Sequence, residues 1–327
     1  MAPESVRVAA VQATPVFLDL QATLDKTCSL IAEAARNGAK LIVFPEAFLP
    51  AFPLWVAGGS SGARPQHGEN LQLYAELLAN AVDVPGPVTA TLGQAARDAD
   101  AHLIIGVNER NADASGASMY NTVIYIDDHG ALMGKHRKLV PTMSERLVWA
   151  PGDGSTLQAF DTALGKLGGL TCWENYMPLA RFALYAWGTQ LYAAPTWDSS
   201  PGWLESMNHI AFEGGCFVIG CCQVVHANDI PDRYGFKQAL VSARGEWINA
   251  GNSVIASPRK VLAGPVSQRE EVLYADLNLA DLSITKGMLD TAGHYARPDV
   301  FQLSVNRSER PMLRSVVDAP PDTPSVK

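Results

Sequence analysis

The sequence predicts an α/β protein built around mixed β-sheet. Short apolar runs of strand length alternate with stretches of helical periodicity in the first part of the chain, and the same alternation returns in the second half. Between them lie two hairpin patterns, which a purely parallel sheet cannot contain.

Val6 to Gln12 alternates as a strand, and Leu24, Cys28, Ile31 and Ala35 then keep helical spacing up to Asn37-Gly38, a good helix stop. Leu41 to Phe44 is the next apolar run. Helices over about Leu71 to Ala81 and Val88 to Ala99, then a strand from Leu103 to Val107, continue the pattern. Tyr120 to Ile126, the turn Asp127-Asp128-His129-Gly130 and Ala131 to Lys138 read as a hairpin, as do Thr156 to Phe160 and Lys166 to Thr171.

The second half runs helix (Leu179 to Trp187), strand (Leu191 to Ala194), helix (near Trp203 to Glu213) and a strongly apolar strand (Cys216 to Val225). Strand-like segments follow around Gln238 to Ser242, Ser253 to Ala256 and Val272 to Leu277. The pattern fades from Pro311, and the final DAPPDTPSVK, rich in proline and polar residues, reads as a mobile tail. No repeat or shift of composition interrupts the body, so residues 1–305 are expected to form one domain and 306–327 a tail.

Hydrophobic residues make up 47% of the 327 and charged residues 18%, as in a globular protein with a large core. A formal net charge of −8, with no basic run beyond Lys135 to Lys138, speaks against nucleic acid as the ligand. The start MAPESVRVAAVQATPVF lacks the pattern of a signal peptide, and no apolar run has membrane-spanning length. The expectation is a cytoplasmic protein without membrane contact. Its five cysteines should then be thiols. Cys221 and Cys222 are adjacent with only His226 nearby, which suits a buried strand better than a zinc site.

Three residues stand out by position. Cys172 lies in LGGLTCWENYMPLARFALYAWG, between a glycine-rich strand end and a helix whose first turn suits Pro178. Backbone donors converge at such an elbow and a helix dipole favours a thiolate, so a nucleophile is well served there, with its sulfur open to the pocket. The plainer alternative is a small buried hydrophobe. Glu46, in LIVFPEAFLPAFP, follows an apolar strand, where partial desolvation would suit a general base; it could equally be a solvated loop acid. Lys138, in GKHRKLVPT, also ends a strand, which Pro141 stops from continuing. GALMGK lacks the spacing and the Ser or Thr of a phosphate loop.

Loops at one sheet edge can converge on one pocket, so three complementary reactive residues at strand ends mean more together than singly. The stretches FPEAFLPAFP, HRKLVPTMSER and LTCWENYMPLAR resemble, in order, the three signature motifs of the nitrilase superfamily, and the last resembles the nitrilase branch itself. YAAPTWDSSPGW, GNSVIASPRKVLAGP and GHYARPDVF extend the likeness, which spans about Val6 to Phe301. The turn at Arg259-Lys260 lacks the family's usual glycine, leaving that local hairpin open to question.

The resemblance implies a four-layer α/β/β/α sandwich with two mixed sheets, no metal or organic cofactor, and a homo-oligomer of dimers that can extend into a spiral. It implies Glu46 as general base, Lys138 as catalytic lysine, Cys172 as nucleophile and Glu145 as the residue that orients Lys138. The implied reaction takes a small nitrile and water through a thioimidate and a thioester on Cys172 to the acid and ammonia. Lys138 and the backbone N–H of Trp173 would stabilise the developing negative charge. An amidase or carbamoyl hydrolase is the alternative, since the same residues serve both, and a catalytically silent scaffold is a third. Trp55, Trp173 and Trp197 are candidates to line the substrate pocket or to pack in the core. Glu174 is either a tuning group for the thiol or an ordinary hydrogen-bonding residue, and structural roles are expected for His136, His209 and His294.

Overall fold

The computed structural model describes residues 5–57 and 67–311. The first sheet contains β1 (Ser5–Gln12), β2 (Leu41–Val43), β3 (His102–Arg110), β4 (Met119–Ile126), β5 (Leu132–Arg137) and β13 (Glu271–Asn278), in the order β13-β1-β2-β3-β4-β5. β1 to β2 and β2 to β3 run parallel and the other pairs antiparallel. The second sheet holds β6 (Phe160–Thr162), β7 (Gly165–Gly169), β8 (Leu191–Thr196), β9 (Phe217–Cys222), β10 (Val224–His226), β11 (Trp247–Ala256) and β12 (Val261–Ser267). Its order is β10-β11-β9-β8-β7-β6, with β12 also on β11, and β8 is parallel to both β7 and β9.

The strand periodicity makes the layers. Val8 and Ala10 of β1 point into the core between the sheets, where they join Val43 and Ile104 opposite Leu191, Ala193 and Ile219. Ala9 and Val11 point outward beneath the helices α1 (Leu20–Arg36) and α3 (Pro87–Ala99), which contribute Leu24, Ile31, Leu92 and Ala96. On the far side, α4 (Pro178–Ala186) and α5 (Pro201–Gly214) cover the second sheet through Ala180, Leu184, Met207 and Ile210. The result is the expected α/β/β/α sandwich with two mixed sheets. A fourth cluster, to which α2 (His67–Ala79) and α6 (Phe236–Arg244) contribute, includes Phe52, Leu73, Trp149, Trp197 and Phe236.

The helices begin where local chemistry allows. The Asp19 carboxylate accepts the Ala22 N–H at 2.9 Å to open α1. Pro178 and Pro201 open α4 and α5, where a missing N–H costs nothing.

Several sequence expectations change. The segment read as a strand around Gln238 to Ser242 is the helix α6; Phe236 and Leu240, four apart, turn into the core while Gln238 and Ser242 face solvent. The apolar run from Cys216 to Val225 is two strands, broken at Gln223. β12 is the second strand of the hairpin that the resemblance implied around Arg259-Lys260, whereas α7 (Ala280–Met288) escaped the sequence reading because it is mostly exposed and carries little apolar periodicity. The turn between β11 and β12 closes without glycine: Ser257 N–H donates to Lys260 O at 2.9 Å, and the Ser257 hydroxyl accepts from Lys260 N–H at 3.1 Å. Of the tail, residues 306–311 are described, and Arg310 N–H donates to Asp153 at 2.7 Å. DAPPDTPSVK lies outside the described residues. Among the described residues no helix is long and apolar enough to cross a membrane.

Candidate active site

Glu46 is set by the close approach of its loop to β3. Gly106 N–H donates to Pro45 O at 3.1 Å, and a Cβ on Gly106 would lie 2.4 Å from both Pro45 O and Ala47 N. Only glycine leaves room for that contact. Asn121 donates to Glu46 Oε1 at 2.6 Å, and the Gln223 amide donates to Glu46 O at 2.7 Å. The second carboxylate oxygen, Oε2, is buried without a hydrogen-bond partner among the described residues.

Lys138 is the first residue after β5. Its N–H donates to Asn121 O and its carbonyl accepts from Gly152 N–H, both at 2.8 Å, which fixes the lysine backbone on the neighbouring strand and loop. Its ammonium donates to Glu46 Oε1 at 2.7 Å and to Glu145 Oε2 at 2.8 Å. Glu145 sits in the short helical turn Met143–Leu147 and also accepts Thr142 N–H at 2.7 Å.

Cys172 opens the short helical turn Cys172–Tyr176 directly after β7 and residues 170–171. Its φ is 55°, and Ala47 beside Glu46 and Met143 in the Glu145 turn have φ of 47° and 45°. Three non-glycine residues in the left-handed region around one site are strain that the surrounding structure must hold. Ligand-type atoms of Glu46, Glu145 and Cys172 all lie within 4.8 Å of one another. Such a set could hold a cation, and here the Lys138 ammonium is that cation, in contact with both carboxylates.

The sequence reading placed the sulfur in an open elbow with its thiolate favoured. The structure corrects this, because Cys172 is only 4% exposed. Burial, then the Glu46 and Glu145 carboxylates, raise the thiol pKa well above its ordinary value, against the opposing Lys138 charge and a hydrogen bond from Thr196. At rest the sulfur is therefore a protonated thiol near neutral pH. Burial alone would lower the Lys138 pKa, but Glu46, Cys172 and Glu145 outweigh it and hold the ammonium protonated. Burial raises Glu145 to about 7, with Glu46 adding to the rise and Lys138 opposing it.

Glu174 ties two of these segments together. Its carboxylate accepts Leu139 N–H at 2.6 Å, next to Lys138, and Thr171 N–H at 2.9 Å, next to Cys172. His136 Nε2 lies 3.1 Å from the same carboxylate, and both side chains are buried. The pair has the structural role expected of His136 and makes Glu174 a brace. His209 meets Glu213 on the surface of α5, and His294 packs on Tyr295; neither is near these groups in the chain's hydrogen bonding.

A pocket of about 360 Å³ opens over Cys172 and Glu145. Trp197 and Trp173 line it, as does Phe52, which stacks on Trp197 with ring centroids 4.4 Å apart. Trp173 is 45% exposed and its indole N–H donates to Asp198 at 2.8 Å. Trp55 is different. It is buried in the core against Phe236 and is not among the residues that line this pocket. Asn121, Gln223 and Thr196 were missed in the sequence, although each is a polar residue within or beside an otherwise apolar strand.

Residues 7–286 match the carbon-nitrogen hydrolase family model. The chain is 45% identical over 305 residues to a bifunctional nitrilase/nitrile hydratase of Nicotiana tabacum, covering 92% of this chain and 86% of that protein. It is 44% identical over 306 residues to an aliphatic nitrilase of Sinorhizobium fredii, covering 93% and 96%. Its fold is similar to the C. elegans NitFhit protein, with a TM-score of 0.69 at 20% identity, covering 94% of this chain and 68% of that one. The chain belongs to the nitrilase family of the carbon-nitrogen hydrolases.

Proposed function

We propose that this protein hydrolyses an organic nitrile to the carboxylic acid and ammonia, with Cys172 as nucleophile, Glu46 as base, Lys138 as a fixed cation and Glu145 as the group that holds it. The observation that carries this reading is the convergence of Glu46, Lys138, Glu145 and Cys172 in one buried cluster, of which Cys172 and Glu145 line a pocket. Identity of 44 to 45% to proteins named as nitrilases over nearly the whole chain supports the substrate.

The electrostatics suggest how the steps divide. The Cys172 proton passes to Glu46, whose Oε2 has no other partner among the described residues, and the sulfur adds to the nitrile carbon. The nitrogen gains charge and takes that proton, giving a thioimidate. Glu46 then takes a proton from water as the water oxygen attacks the same carbon and passes it to the nitrogen; the remaining hydroxyl proton follows by the same route as the carbonyl forms, so ammonia leaves and a thioester remains. A second water releases the acid and restores the thiol. Lys138, held protonated by its carboxylates, stabilises charge throughout without giving up its proton. The N–H of Trp173 is a second donor for that charge, because a group in the first helical turn has no preceding carbonyl of the helix to bond.

We also read the body as one domain and the enzyme as cytoplasmic, since Cys172 must stay a reduced thiol to act. A homo-oligomer larger than a dimer belongs to the same reading. Leu179 on α4 and Phe212 on α5 are 67% and 50% exposed, and they are suitable apolar surface for a subunit contact.

The test is an assay of acid, amide and ammonia on aliphatic, arylaliphatic and aromatic nitriles. Wild type should release acid and ammonia from at least one class, and Cys172→Ala should release neither while keeping its melting temperature within a few degrees. Turnover of amides alone would move the reading to an amidase.

A further inference from the structure

Arg244, the last residue of α6, lines the mouth of the pocket that has Cys172 at its base. It is exposed, and its guanidinium offers five N–H donors. Among the described residues it donates to two backbone carbonyls, Ile248 O at 3.5 Å and Ala57 O. Desolvation by neighbouring protein moves its pKa below the usual arginine value, and no anion acts the other way.

The other charges on the pocket are already engaged. Glu145 is paired with Lys138. Asp198 accepts the Trp173 indole N–H on one oxygen and Ser200 N–H on the other, each at 2.8 Å. Arg244 and Asp198 line the same pocket, and both Asp198 oxygens are taken up by Trp173 and Ser200. A cation is thus left facing the opening in a chain whose net charge is −8. Its planar fork matches a carboxylate in two parallel hydrogen bonds. The same pocket is lined by the stacked rings of Phe52 and Trp197, which suit a short hydrocarbon spacer.

We infer that Arg244 receives a carboxylate at the far end of the substrate, so that the preferred nitriles are short cyano-carboxylates with the cyano group held at Cys172. This rests on the nitrile-hydrolysing reading above. The carboxylate displaces water at the rim and takes up guanidinium donors that no side-chain anion among the described residues uses. The group acts by binding and orientation and takes no part in bond making.

The experiment compares the mononitriles of succinic, glutaric and adipic acids with their methyl esters, which remove the charge and leave the cyano group. Wild type should favour at least one acid over its ester by about tenfold or more in kcat/KM. Arg244→Gln should lose that preference, mainly through KM, with ester turnover within about twofold of wild type; Arg244→Lys should recover part of it. Binding of glutaric acid mononitrile to Cys172→Ala, followed by calorimetry with and without Arg244→Gln, reads the same contact without turnover. Equal losses on acid and ester, or binding that does not weaken in the double variant, would overturn the inference. An enzyme that releases ammonia from no nitrile but binds the mononitrile through Arg244 would overturn the hydrolase reading instead.

Discussion

The Lys138 ammonium lies 2.7 Å from Glu46 Oε1, and neither side chain is exposed to solvent at all. A buried charge pair survives only while both partners are present, since removing one leaves the other uncompensated at a cost of about 3 to 5 kcal/mol. With Glu145 as the third member, the charges form a unit. Lys138→Met is therefore expected to lose all activity and also to melt at a lower temperature. Lys138→Arg should not restore the rate, because a planar guanidinium cannot replace a compact ammonium between two carboxylates. A thermal melt with an ammonia assay checks both, and a Lys138→Arg variant above about a tenth of the wild-type rate would contradict the arrangement.

Reactivity of the buried thiol should depend on Glu46. Because burial and the carboxylates hold Cys172 protonated near neutral pH, iodoacetamide should label it through proton transfer to Glu46. Glu46→Gln is expected to slow labelling of the Cys172 peptide by about tenfold or more, alongside a loss of roughly a hundredfold or more in turnover. Peptide mass spectrometry separates this site from the half-buried Cys28. Equal labelling rates in the two proteins would remove Glu46 as the base for this step.

The brace should show in the pH dependence of stability. Burial works to raise the Glu174 pKa, but His136 and the two backbone N–H groups outweigh it and hold it below the ordinary 4.5. Its contribution is then present above 4.5 and lost as pH falls through the depressed value. Burial works to lower His136, but Glu174 holds it above 6.5, so the histidine's contribution is present below 6.5 and fades as pH rises through the raised value. The melting-temperature advantage of wild type over Glu174→Gln should be largest between those two pH values and shrink on either side. A constant difference from pH 4 to 9, about the accessible range, would mean that the pair does not titrate with folding.

Trp197 unites the two roles that its sequence left open. It lines the pocket and is also only 9% exposed, stacked on Phe52. Trp197→Ala is expected to cost about 3 to 5 kcal/mol of stability and to widen the pocket. The ratio of kcat/KM for a phenyl-bearing nitrile to that for a small aliphatic one should rise by up to about a hundredfold. An unchanged ratio with a lowered melting temperature would leave only the packing role.

Much of this was legible because the chemistry lies in short motifs at strand ends. Leu41 to Phe44 before Glu46, the hairpin strand before Lys138 and the glycine-rich strand before Cys172 are local patterns, and local patterns are what a sequence displays. The four layers needed the family resemblance, since periodicity shows that a strand is buried but not which sheet it joins. Segment 238–242 read as a strand because a few apolar residues in a short run fit both periods; the core contact of Phe236 and Leu240 decides for the helix. The burial of Cys172 was hidden for a different reason: the groups that act on its thiol, Glu46, Lys138 and Thr196 among them, come from other segments of the chain. Glu174 as a brace depends likewise on His136 in β5 and Leu139 just after it, both distant in sequence.

The most direct test of the account is intact-mass measurement of enzyme quenched within its first turnovers on a nitrile that it hydrolyses. The account expects a transient mass increase equal to the acyl group, mapped by peptide digestion to Cys172 and absent from Cys172→Ala. Full turnover with no adduct at any quench time, together with an active Cys172→Ala, would contradict it.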